Sequence, residues 1–482
     1  MLVIDPPYRV FPALSTLHEC VLLALQAVSA IRVSLHSPFE ITSQSSSRLS
    51  KRSPVVLGGD VAQCYTMRFN VDGVDLHLRL DSMISDIIVP LPSSSDDLGS
   101  TPESTPSGEP ITINYRGNDY NAFSSTAAVT ISGTEITGID LPVLAVQKKS
   151  PDLFGINPNF DGVFGFGHPS LSEHHSPITA MDVLYNGGVI SNNEVSLQLC
   201  SHDIFQQSFV NIGNTDITPK CGTDGTSVAW VQSPTNDCHN VNIKSILING
   251  EQANLPAEFQ KKVEDDHTLY SYIQTCSSYM IFPETVVTAL VGAILDSGAI
   301  TIKNNLFTSK LSKREIKKIF WRSYAMPEST YNIDWNKLPS LSITMHAETP
   351  VTLENYNSVV TIKLSPKDYI QRVNSERFLF AVAVGSNDRA ALGIPFMTRL
   401  TVTFDRAHKR IGFGPGCECE TATSEYPTIS NGDRVLWPLT QLPEEPSTSG
   451  SDGTSTLRRL SRLGNTLRGS KQSKFNYKKT GD

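Results

Sequence analysis

No stretch of the 482-residue chain approaches the ~18 consecutive apolar residues of a membrane-spanning helix, so nothing in it reads as a transmembrane anchor. Basic residues are outnumbered, 40 Lys and Arg against 48 Asp and Glu, and the net charge of −8 argues against nucleic acid as a partner. The eight cysteines include no Cys-x-x-Cys pair, and no histidine cluster accompanies them. That spacing excludes a zinc site, and neither a metal nor any other cofactor is expected. Asn-x-Ser/Thr sequons are absent, which is unusual in an exported chain. Helical periodicity is scarce as well, and Lys310–Trp321 is its best candidate.

What the chain has instead is alternation. Tyr65–Val71 and Val74–Leu80 alternate apolar and polar residues on either side of Asp72-Gly73, a strong hairpin signal. Short strands recur at Ala127–Ile131, Val195–Leu199, Phe209–Ile212, Ile243–Ile248, Leu341–Met345, Val359–Leu364, Phe378–Val384 and Leu400–Asp405. Many short strands with Gly, Pro and Asn turns indicate a mostly β protein. Glu251–Val291 is mixed and reads as an insertion without a regular place.

The two ends differ from this middle. Leu14–Ala30 carries a short apolar core ending in small residues, the pattern of an export signal over residues 1–30. Glu19 within it and the single upstream basic residue, Arg9, keep a buried amphipathic helix as the other reading. Removal of the signal takes Cys20 away and leaves seven cysteines, hence a free thiol or an intermolecular bridge. Residues 31–53 are Ser-rich and close on Lys51-Arg52, as a removable pro-segment or a disordered arm would. Residues 421–482 are expected to be a disordered tail. Its basic end, Leu457–Lys479, suits either contact with an anionic membrane surface or plain solvation.

Two Asp-Ser pairs follow apolar runs, Asp81-Ser82 after Val74–Leu80 and Asp296-Ser297-Gly298 after Ala293–Leu295. One lies in each half of the chain, as in duplicated lobes that face each other. Two carboxylates within hydrogen-bonding distance cannot both ionise easily and share a proton. One then serves as base on a water while the other donates to a carbonyl oxygen, with no metal and no covalent nucleophile.

From about Tyr65 to Gly416 the sequence resembles the pepsin-type aspartic proteases. Asp81-Ser82 with Ile87-Ile88-Val89-Pro90 is similar to the family's first Asp-Thr-Gly segment, and Asp296-Ser297-Gly298 to its second. Phe160–Gly165 and Ala391-Leu392-Gly393 resemble the two braces behind those loops. Thr403–Ala407 with Arg410–Phe413 resembles the closing Val-Phe-Asp-Arg-Ala motif. The resemblance implies a bilobed β fold, residues 54–203 and 204–420, with the insertion near 251–291 in the second lobe. It implies Asp81 and Asp296 as the catalytic pair, Ser82, Ser297 and Gly298 as supporting loop residues, and Tyr115 on the flap. It also implies a polypeptide substrate, an acidic working pH, a monomer, and a secreted or endomembrane–lysosomal location. Ser196–Cys200 is similar to the beta-secretase branch, where the resemblance implies a bridge from Cys200 to Cys417 or Cys419.

The departures concentrate at the first loop. Met83 stands where the family has Gly, Ile84 where it has a hydroxyl, Ile88 where it has Trp, and Ala299 removes a hydroxyl from the second motif. Two functions follow: an endopeptidase working through Asp81 and Asp296, or a catalytically impaired relative that binds peptide or protein in its cleft.

Overall fold

Alternating side chains build the first hairpin. Strands β1 (Thr66–Val71) and β2 (Val74–Asp81) pair antiparallel with Val71 opposite Val74. Met67, Phe69, Val71, Leu76 and Leu78 enter the core, while Arg68 and Asp75 stay outside. Asp72 and Gly73 between them have φ of 48° and 85°, the positive values that a two-residue hairpin loop needs. From Leu78 onward every residue of β2 is buried, so the strand carries Asp81 inward rather than along the surface.

The computed structural model describes residues 32–34, 64–90, 110–115, 118–131, 134, 136–146, 161–173, 178–200, 208–213, 228–236, 238–264, 267–303, 308–347, 358–416, 427–432 and 434–436. The segment read as an export signal, the bridge partners Cys417 and Cys419, and the basic tail lie outside them. All described residues fall in one unit, Met1–Gln441. The chain is mostly β.

Five further strands complete the first lobe: β3 (Ile87–Pro90), β4 (Ile111–Tyr115), β5 (Asn118–Ile131), β6 (Ile139–Val146) and β7 (Gly162–Gly165). Their sheet order is β1-β2-β7-β3-β6-β5-β4, and β1 pairs again with β5, curling the sheet back on itself. Within it β2 runs parallel to β7, with Asp81 opposite Gly165. Strand β7 is antiparallel to β3, and β3 is parallel to β6.

The second lobe repeats that connection. Strand β8 (Ser271–Ile273) is followed by β9 (Met280–Phe282), helix α1 (Glu284–Ser297), β10 (Val382–Val384) and β11 (Ala391–Leu392). Here β8 is parallel to β11, β11 antiparallel to β9, and β9 parallel to β10. A six-stranded sheet joins the halves, in the order Arg32–Ser34, Phe209–Ile212, Glu194–Gln198, Leu400–Asp405, Arg410–Pro415, Ala229–Gln232. Phe404 from this sheet packs edge-on against Phe166 of the first lobe, ring centroids 5.3 Å apart.

Three expectations change. The run Ala293–Leu295 is not a strand ending at Asp296 but the end of α1. Val286, Val287, Leu290, Val291 and Ile294 form its buried stripe at helical spacing, and Gly298 at φ 62° closes it. Glu251–Val291 is not a placeless insertion, for it holds β8, β9 and the loop between them. The tail read as disordered contains two strands, Thr428–Asn431 and Arg434–Leu436, which extend the sheet of Leu341–His346 and Val359–Leu364. Ile429 and Leu436 are buried there, and Gly432 at φ 58° makes the turn. The helix expected at Lys310–Trp321 forms over Lys313–Trp321, with Ser312 and Glu315 as a capping box.

Candidate active site

Asp81 ends β2 and is 2% exposed. Its Oδ1 accepts the Met83 N–H at 2.9 Å, and its Oδ2 accepts the Tyr115 hydroxyl at 2.8 Å. Tyr115 ends β4 and belongs to a satellite apolar cluster with Ile84, Ile88 and Ile113. Ile88 offers this ring only apolar surface, and the Tyr115 hydroxyl turns to Asp81. Arg79, two residues before Asp81 and fully buried, holds its guanidinium 5.1 Å from the centre of the Tyr115 ring. Strand periodicity places Arg79 and Asp81 on one face of β2.

Ser82 reaches across to the second lobe, but not to Ser297. Its N–H donates to Thr275 Oγ1 at 2.9 Å, and the Thr275 N–H donates to Ser82 Oγ at 3.1 Å. Each hydroxyl then donates to the carbonyl two residues before the other: Ser82 to Ile273 at 3.0 Å and Thr275 to Leu80 at 2.9 Å. This set of four bonds is its own mirror under a two-fold relation that exchanges residues 80–83 with 273–276. All four residues are buried, so these bonds satisfy polar groups that water does not reach.

The strands behind the loops obey the same relation. Asp81 lies opposite Gly165 and Ile273 opposite Leu392, so Gln274 falls beside Gly393; the Gln274 N–H donates to the Leu392 carbonyl at 2.9 Å. Both glycines are required by close backbone approach. A Cβ on Gly165 would lie 2.5 Å from the Ile84 carbonyl oxygen, and one on Gly393 2.2 Å from that of Tyr279. Gln274 therefore occupies in the second lobe the place that Asp81 holds in the first. It is partly exposed.

Asp296, expected to face Asp81, is exposed in the last turn of α1. Ser297 Oγ donates to the Ile294 carbonyl at 2.8 Å and accepts the Ala299 N–H at 3.2 Å, and Gly298 is the helix's left-handed cap. These three residues end a helix. Asp81, Ser82 and Tyr115 are brought together; Asp296, Ser297 and Gly298 are not brought to them.

Reading the sequence missed Gln274, Thr275 and Cys276. The signal was present: Leu80-Asp81-Ser82-Met83-Ile84-Ser85-Asp86-Ile87-Ile88-Val89-Pro90 and Ile273-Gln274-Thr275-Cys276-Ser277-Ser278-Tyr279-Met280-Ile281-Phe282-Pro283 align position by position. A search for carboxylates passes over a copy that lacks one. Cys276, the counterpart of Met83, is bridged to Cys64 just before β1, and so ties the Gln274 loop to the first lobe. Cys200 is also disulfide-bonded.

Residues 96–416, more than half of the chain, match the family described as eukaryotic aspartyl protease. No curated protein matches the chain significantly. The matched span includes Tyr115, the Gln274 loop, both lobes' later strands and the closing hairpin, and begins beyond Asp81. With a fold of two lobes related through paired loops, this match means that the chain belongs to the eukaryotic aspartyl protease family, a family of peptide hydrolases.

Proposed function

We propose that the protein holds an extended polypeptide across the cleft between its lobes without hydrolysing it. The observation that carries this reading is Gln274 in the place opposite Asp81. Hydrolysis between paired carboxylates needs one group to take a proton from water while the other gives one to the carbonyl oxygen. A carboxamide does neither, because it exchanges no proton in this range of pH. Asp81, with the Met83 N–H on one oxygen and the Tyr115 hydroxyl on the other, has no second carboxyl group with which to share a proton. Ile84 supplies no hydroxyl to it, as the sequence indicates.

The endopeptidase reading draws its support from family membership and from Asp81. Asp296, exposed on α1, lends it no second carboxylate. The Cys64–Cys276 bridge supports an oxidising setting, secreted or endomembrane–lysosomal, and we take the protein to act as a monomer. None of the described helices is long and apolar enough to cross a membrane.

Digestion of a denatured protein from pH 3 to pH 7, with and without a pepstatin-type inhibitor, tests the reading. The full chain should cleave no faster than its Asp81→Ala variant, while labelled extended peptides bind saturably in fluorescence anisotropy. Cleavage that both the inhibitor and Asp81→Ala abolish would overturn it in favour of the endopeptidase.

A further inference from the structure

Resting on that reading, we infer that the Asp81–Gln274 pair selects an intact, planar peptide group at the centre of the cleft and gives no added affinity to the tetrahedral form through which hydrolysis passes. A peptide group presents one N–H and one C=O in a single plane. Each Asp81 oxygen accepts one bond within the protein and keeps a further lone pair for a ligand N–H. Gln274 makes no side-chain hydrogen bond to any described residue and is partly exposed, so its amide N–H is available to a ligand carbonyl. Donor and acceptor on the protein thus complement acceptor and donor on the peptide.

A tetrahedral centre fares differently. Between two carboxyl groups that share one proton its hydroxyl donates to the ionised partner and accepts from the protonated one, and transition-state analogues of working enzymes bind 10²–10⁸-fold more tightly than substrates. With Gln274 the hydroxyl keeps a single charge-assisted bond, to Asp81, and that advantage disappears. The buried Arg79 lies on the same face of β2, its guanidinium 5.1 Å from the centre of the Tyr115 ring whose hydroxyl bonds Asp81. The apolar cluster of Ile84, Ile113 and Tyr115 next to Asp81 calls for apolar side chains on either side of that amide.

The test is a matched pair of probes: a blocked hexapeptide with Leu-Phe at its centre, and the same molecule with the central amide replaced by a hydroxyethylene group. Calorimetric titration of the full chain should give dissociation constants within about tenfold of each other. The Gln274→Asp variant, which leaves the Ser82–Thr275 bonds in place, should shift the preference toward the isostere by at least about 100-fold. An isostere that binds the unaltered protein more than tenfold tighter overturns the inference and leaves non-hydrolytic binding standing. A preference that Gln274→Asp does not move overturns it equally. Binding of neither probe overturns the binding reading itself, and the inference with it.

Discussion

A carboxamide in place of a carboxylate removes a proton carrier and leaves the surrounding loop intact. That combination is what the Gln274 loop displays, because the bonds that shape it come from Thr275 and not from the residue at the centre. Thr275→Val preserves shape and deletes the hydroxyl. It strands the buried Ser82 N–H and takes a donor from the Leu80 carbonyl, and should cost about 2–4 kcal/mol in urea unfolding. Ser297→Ala, at the site the family resemblance favours, should cost under about 1 kcal/mol, since that hydroxyl only finishes a helix end. Equal costs for the two would mean that Thr275 is not the tie between the lobes. Asp81 and Ser82 drew notice in the sequence because an acid follows an alternating strand, and Tyr115 because Ile113-Asn114-Tyr115 resembles the family's flap. Gln274 did not, because nothing in an isolated Gln-Thr-Cys distinguishes it from any polar turn until the whole eleven-residue copy is aligned.

Elements were legible where one face alone is buried. The β1–β2 hairpin announces itself through alternation and Asp72-Gly73, and the helix of Lys313–Trp321 through its helical periodicity. Short apolar runs do not declare themselves, since a buried strand and the end of a buried helix look alike over three or four residues. That ambiguity turned the end of α1 into a strand in the sequence reading. The two strands at Thr428–Leu436 were hidden differently, being short and set in a tail rich in Ser, Thr, Pro and Glu. Ile429 is 0% and Leu436 5% exposed, and each burial is worth about 1.5–3 kcal/mol. A chain ended at residue 426 keeps Cys417 and Cys419 but should lose about 3–6 kcal/mol and bare the edge of Val359–Leu364. A chain ended at residue 441 should melt with the full-length protein. If the shorter chain also melted unchanged, these strands would contribute nothing to the sheet.

At the scale of the molecule, the junction of lobes and joining sheet carries a buried pair of imidazoles. His168 follows β7, His239 precedes β8, and their rings lie 4.8 Å apart. Phe404 of the joining sheet packs on His239 at 4.6 Å, and His239 Nε2 is 3.2 Å from the Phe166 carbonyl oxygen. Burial pushes the His239 pKa well below its ordinary value, and the neighbouring His168 and Arg406 push it the same way, against the hydrogen bond to Phe166. Native His239 therefore stays neutral where the unfolded chain takes up a proton. Stability must fall as pH drops below about 6.5, at up to about 1.4 kcal/mol per pH unit from this one group. Burial would raise the pKa of Asp182, but Arg406, Thr179 and Asn193 outweigh it and hold the carboxyl below its ordinary value, so its contribution is lost only at lower pH, in the same direction. The acidic working range that family resemblance suggests is thus one in which this junction is less stable. Melting temperatures from pH 8 to pH 4.5 should decline steadily below pH 6.5. His239→Leu should lower stability at pH 8, where a hydrogen bond is lost, yet flatten the decline between pH 6.5 and pH 4.5 by about one proton. A slope unchanged by His239→Leu would take the acid sensitivity away from this junction and assign it to the carboxylates.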